Sequence, residues 1–275
     1  GESNGRVPRW GRPLIAKIRL MSNATRTWTS RRTGETYPVI EQFDRRHLCV
    51  MVVGISLAGV LVVAAKRTRG MKANKIARQL TALVLGVLSV TYLAVILRRE
   101  NFVADELAPF HVSDWLRLIA PVALGTGQEH LTAITYYWGF LLNPMALLTP
   151  DAAWVMDRRI QESAYWLFHW AALIIPAVLT FGYGFRPTWS GYRFTMAFSV
   201  VWMAVAGAAN VCTGGNYGFL ARKPRGRSII DIFGPWPYYI GVEFLLVAVA
   251  WAGMTWIWER RPAGGLSRRG LMRRA

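Results

Sequence analysis

The chain has 275 residues, 53% of them hydrophobic and 13% aromatic, and a formal net charge of +18. A water-soluble domain of this length does not usually combine so many apolar residues with so few acids. The basic residues bunch between long apolar runs, which points to a multi-pass membrane protein; lipid headgroups and membrane orientation account for the charge, and no nucleic acid is implied.

Residues 1–46 are polar and basic and are expected to form a partly disordered or interfacial tail. Within them, RPLIAKIRLM at 12–21 is mildly amphipathic and suits an anionic headgroup surface. Asn23 opens an Asn-Ala-Thr glycosylation triplet, a pattern frequent by chance. A helix needs about 18 or more mainly apolar residues to cross a bilayer core. Seven stretches qualify, at 47–65, 80–97, 107–125, 131–148, 163–183, 194–213 and 238–258. The expected fold is an all-α membrane protein, with seven transmembrane helices around a polar intramembrane pocket in 47–258 and a basic tail at 259–275. No cleavable signal peptide is expected, because the first apolar run follows a long basic segment.

Seven spans put the termini on opposite sides. The loop KRTRGMKANKIAR and the tail ERRPAGGLSRRGLMRRA share one side, and the N-terminal tail and ARKPRGR share the other. The preferred orientation places the C-terminus in the cytoplasm of a multi-pass cell-membrane protein. Cys49 and Cys212 lie in spans without CxxC or His/Cys spacing, and are expected to be buried thiols acting as small hydrophobes. There is no Gly-rich phosphate loop, so no cofactor is expected. The oligomeric state is not legible.

The third span carries the anomaly. FHVSDWLRL, residues 110–118, sets His111, Ser113, Asp114 and Arg117 into apolar surroundings. Each ionisable group near a bilayer centre costs about 2.5–3.5 kcal/mol, so several together point to function. At about 100° per residue the four fall within an arc of roughly 160°. His111 and Asp114 are spaced to touch, as are Ser113 and Arg117. Ser113 and His111 point apart, so a base for Ser113 must come from another helix. The fifth span offers one: in ESAYWLFHWAALIIP, Glu162, Tyr165 and His169 share a helical face. The bland alternative is an Asp114–Arg117 ion pair neutralised in the bundle, with His111 bonded to a carbonyl. A further alternative makes His111, Asp114 and His169 ligands of a catalytic metal, although no metal is the preferred expectation.

Two more segments break regular structure. Pro144 in LLNPMALLTPD frees a carbonyl one turn earlier that Asn143, water or a substrate would satisfy. Gly214, Gly215 and Gly218 predict that the sixth helix ends in a tight turn presenting Asn216 and Tyr217. Pro235 to Tyr239 then form an aromatic entry to the last span at headgroup level.

The stretch GGNYGFLARKPRGRSIIDIFGPWPYYI, together with ALLTPD at 146–151, the His-x-x-Asp at 111–114 and His169, resembles the YwaF-like family of bacterial integral membrane proteins. The resemblance covers most of 47–258 and neither tail. That family is similar to an animal transmembrane acyltransferase acting on ether phospholipids, whose proposed catalytic pair is a third-span cysteine and a histidine on a later helix. By position these correspond to Ser113 and His169. A serine stands where the family pattern has cysteine, and its less acidic hydroxyl needs a better-placed base.

The resemblance implies acyl transfer or acyl hydrolysis on membrane phospholipids or other acyl lipids. Ser113 would attack and His169 would act as base, with Glu162 orienting it through water. Arg117 would meet a phosphate or oxyanion, and His111 with Asp114 would move protons. Tyr165, Asn216, Tyr217 and Asp231 would contact substrate. The alternative is a non-catalytic lipid-binding, transport or assembly protein in which the same arc lines a hydrated pocket.

Overall fold

A first helix forms where Asp44 turns its carboxylate back onto the His47 N–H at 2.7 Å, satisfying a donor that the first turn leaves free. This is α1 (Arg45–Arg67) in a computed structural model that describes residues 27–99, 102–226 and 228–260. The amphipathic stretch at 12–21, the Asn23 triplet and most of the C-terminal tail lie outside the described residues. Next come α2 (Lys72–Leu97) and α3 (Val112–Thr126). Helix α4 is broken, running from Glu129–Tyr137 through a π-type segment, Trp138–Leu142, into Asn143–Leu148. Helix α5 (Arg158–Ala177) continues through a second π-type segment, Val178–Gly182. Helices α6 (Trp189–Thr213) and α7 (Tyr238–Glu259) complete the bundle.

The chain is mostly helical, and α1, α2, α5, α6 and α7 are long and apolar enough to cross a membrane. Their outward faces carry exposed Val52, Val53, Leu83, Val87, Leu245 and Val249, a surface suited to hydrocarbon rather than water. Cys49 and Cys212 are exposed on such faces, correcting the expectation of buried thiols. In a membrane helix a small hydrophobe can face outward as well as inward, so apolar character does not locate it.

Helix α3 begins five residues later than the apolar count suggests. Ala104–Leu107 form a single turn, and Ala108, preceding Pro109, is held extended at φ −65°, ψ 139°. The helix restarts only at Val112, with His111 as its N-cap. The polar arc therefore sits at the mouth of α3 and not midway along it. Further along, Pro121 cannot donate to the Arg117 carbonyl; Ser89 Oγ on α2 lies 2.7 Å from that oxygen instead. This one substitution of partners joins α2 to α3.

Of the segment expected to form a partly disordered or interfacial tail, residues 27–46 are described, and they carry a hairpin and the start of α1. Thr27–Thr29 pair antiparallel with Thr36–Pro38, and Val39 bridges to Ala153. Ser30 Oγ and the Arg31 N–H each donate to buried Asp105 at 3.0 Å. The hairpin thus ties the segments before α3 and between α4 and α5 together at one end of the bundle.

Around the helix centres, Trp138, Trp202, Tyr137 and Trp251 form the main core cluster. Three of their polar atoms are engaged: Tyr137 Oη lies 2.6 Å from Thr255 Oγ1, Trp138 Nε1 donates to Ser199 Oγ at 2.9 Å, and Trp202 Nε1 to the Phe110 carbonyl at 3.0 Å. The last bond fixes the segment just ahead of the α3 N-cap.

Candidate functional site

A cavity of about 300 Å³ opens between α3, α5, α6 and α7. Its wall carries His111, Ser113, Asp114 and Arg117 from α3 and its cap, and Tyr165 and His169 from α5. Two helices with no sequence neighbourhood thus bring a hydroxyl and an imidazole to one hollow. No direct hydrogen bond joins Ser113 to His169 among the described residues, and the Ser113 hydroxyl has no partner there. A group entering the cavity can meet both.

The two imidazoles are held in opposite ways. His169 Nδ1 lies 2.7 Å from the Tyr165 carbonyl oxygen. A carbonyl only accepts, so Nδ1 carries the proton and the Nε2 lone pair of the neutral ring is left for a substrate. The Tyr165 ring packs on His169 with centroids 4.1 Å apart, and Tyr165 Oη donates to the Ala146 carbonyl at 2.7 Å. Asn143 Nδ2 donates to the His169 carbonyl at 2.9 Å, so α4 holds the same turn from the other side. The Pro144 break thus serves α5 through Asn143.

At His111 the bond is reversed. The Gly218 N–H points at His111 Nδ1 over a long 3.5 Å, which makes Nδ1 an acceptor and leaves Nε2 as the donor. Gly218 has φ +62°, and a Cβ there would fall 2.4 Å from the Trp202 ring, so a side chain is excluded on both counts. One imidazole can accept a proton and the other can donate one.

Asp114 is not free to shuttle protons with the His111 ring. One carboxylate oxygen accepts the His111 backbone N–H at 2.9 Å and the other pairs with Arg117 Nη1 at 2.9 Å. The Asp at the third helical position does what caps do, closing the first turn of α3. Arg117 is 7% exposed and lies over Tyr92 and Phe168, with its Cζ 5.3 and 5.9 Å from their centroids. The ion pair weighed as the bland alternative is therefore present, and it props the polar arc. Replacing Arg117 with Ala strands a largely buried carboxylate; a loss of about 3–5 kcal/mol in folding stability is expected, read as a fall in melting temperature in detergent.

Four expected contact residues do not line the cavity. Glu162 pairs with Arg46 at 3.1 Å and Arg158 at 3.3 Å, where it joins α1 to α5 instead of orienting His169. Asn216 Oδ1 accepts from the Ala221 and Arg222 N–H groups, shaping its own loop. Tyr217 is fully buried: Asn210 grips its backbone N–H at 2.6 Å and its carbonyl at 3.0 Å, and its hydroxyl donates to the Ala104 carbonyl. Burial pushes that hydroxyl well above the usual tyrosine range, so it stays a neutral donor. Asp231 caps a short helix, Ile229–Phe233, by accepting the Ser228 N–H at 3.0 Å. The glycine-rich turn is real, but it turns these side chains inward to hold the cavity rim.

The rim carries a latch that the spacing of residues did not suggest. Arg225 donates to Asp151 Oδ1 at 2.6 Å and to both Glu106 oxygens at 3.1 Å, while its guanidinium lies 5.3 Å from the Trp28 ring centre. Burial alone would lower its pKa, but the two carboxylates more than offset this and hold it above the ordinary value. Arg225→Ala should loosen the 220–226 loop, giving several-fold faster cleavage there by a protease added to intact protein, with the helices unaffected.

Among the described residues no group of three or more His, Cys, Asp or Glu side chains is placed to hold a metal ion. Asp114 is held by the α3 cap and by Arg117, and the three residues of the expected alternative, His111, Asp114 and His169, do not form such a group there. No curated protein and no solved structure matches the chain. The family model that does match spans residues 42–255, which takes in α1 to α6 and most of α7. The chain belongs to the TMEM164 family, a family of transmembrane proteins.

Proposed function

We propose that this protein is a seven-span membrane enzyme that moves acyl chains on phospholipids, by transfer or hydrolysis, with Ser113 as nucleophile and His169 as general base. The observation that carries this reading is the shared cavity, onto which both side chains open from separate helices. In this account α3 and the broken α4 also cross the membrane, alongside the five longer helices. The C-terminus faces the cytoplasm of a cell-membrane protein, and the hairpin and cavity rim face the other side. The YwaF-like resemblance and the acyltransferase chemistry it implies point the same way.

In the chemistry, Ser113 Oγ attacks an ester carbonyl carbon while His169 Nε2 takes its proton. The carbonyl oxygen gains charge at the start of α3, where the Val112 and Ser113 N–H groups have no partner among the described residues. These unpaired donors, with the positive end of the helix, suit an oxyanion. The bond from acyl carbon to the glycerol oxygen then breaks, and His169 returns the proton to that oxygen. An acyl-serine remains. A lysophospholipid hydroxyl or water attacks it next, giving its proton to His169 and restoring Ser113. His111 Nε2–H is available as a second donor.

The test is purified protein in lipid nanodiscs with a phospholipid labelled in its acyl chain and an unlabelled lysophospholipid. Label in the acceptor identifies a transferase and label in free fatty acid a hydrolase. Label that stays in the donor under all conditions refutes the enzyme and favours lipid binding or transport, the reading favoured by the absence of a direct Ser113–His169 hydrogen bond. In that second reading Ser113→Ala is silent, whereas Arg117→Ala or Asp114→Asn is not.

A further inference from the structure

Glu243 lies on α7, about 8 Å into the helix from its first residue. Its side chain lines the cavity and has no hydrogen bond or ion pair with any described residue. The other carboxylates on the wall are spoken for: Asp114 by Arg117, and Glu106 and Asp151 by Arg225. An unpaired carboxylate in an apolar surrounding is costly, and it is retained where it meets a charge that arrives from outside. Phe219, Phe244 and Trp251 line the same cavity, and aromatic rings are the surroundings in which alkylammonium groups are bound.

We infer that Glu243 is the recognition residue for an ammonium group, which in the lipid reading proposed above is the headgroup amine of a zwitterionic phospholipid. Trp251 is eight residues further along α7 and shares its face with Glu243, so carboxylate and ring reach the cavity together. A free alkylamine offers the same chemistry. The anionic headgroup of a phosphatidylglycerol does not, and would be repelled.

The experiment equilibrates purified full-length protein with equal amounts of phosphatidylethanolamine, phosphatidylcholine and phosphatidylglycerol of identical acyl chains, then reads retained lipid by native mass spectrometry. Wild type is expected to favour the two ammonium lipids by about tenfold, the size of one desolvated ionic or cation–π contact, which both headgroups can make. Glu243→Gln should bring that ratio near one while total lipid retained stays similar, and Glu243→Asp should keep the preference. If wild type retains choline from choline chloride in a Glu243-dependent way while showing no headgroup preference, the ammonium site stands and its ligand is a free amine. Equal retention of all three lipids with no choline binding overturns the role of Glu243 and leaves the acyl-lipid reading intact. Loss of every phospholipid from wild type would instead sink the acyl-lipid reading.

Discussion

Replacing Ser113 with Ala is expected to abolish acyl turnover, and His169→Ala to lower it by about 10²–10⁴-fold, the range that a positioned general base contributes. Both variants should insert and purify normally. The Ser113 hydroxyl has no partner to lose, and His169 gives up one bond to a carbonyl of its own helix. Ser113→Cys makes the sharper comparison. A thiol ionises more readily and depends less on its base, so the Cys variant should stay active, and His169→Ala should harm it less than it harms the serine enzyme. Loss of activity in Ser113→Cys with full activity in Ser113→Ala would invert the assignment.

The second large effect is structural and lies beneath the site. A Cβ on Gly139 would sit 2.4 Å from the Ala172 carbonyl oxygen, which belongs to the α5 backbone and cannot rotate away. That carbonyl is one turn before Pro176, so it has lost its helical donor and is open to a close neighbour. Gly139→Ala should therefore push α4 from α5, at a cost of about 1–3 kcal/mol. It should also disturb the Asn143–His169 link and lower turnover along with the melting temperature. An unchanged melting temperature and rate would mean that the two helices do not meet there.

Much of the bundle is legible from apolar run lengths, because a long uncharged stretch such as α2 has few alternatives to a helix. Its ends were not, since capped polar turns at Asp44, Asp157 and Thr188 extend helices beyond their apolar cores. The helical wheel placed His111, Ser113, Asp114 and Arg117 on one side, and all four do line the cavity. It did not anticipate that Pro109 would restart the helix at Val112 and make a cap of His111 and Asp114. Glycine spacing marked the 214–218 turn but not its direction; that was set by Asn210, whose grip on Tyr217 shows no periodic signal. Glu243 and Arg225 carry no signal of their own in the sequence, because one acid near a helix end, or one arginine in a basic loop, is indistinguishable from a solvated charge without the partners around it.

A lipid-like fluorophosphonate, which bonds covalently to an activated serine oxygen, tests the central claim most directly. Peptide mass spectrometry after labelling should find the adduct on Ser113 in wild type and little or none in His169→Ala. An unlabelled Ser113 in protein that still turns over acyl lipid, or an adduct on some other residue, would contradict a nucleophile at the mouth of α3.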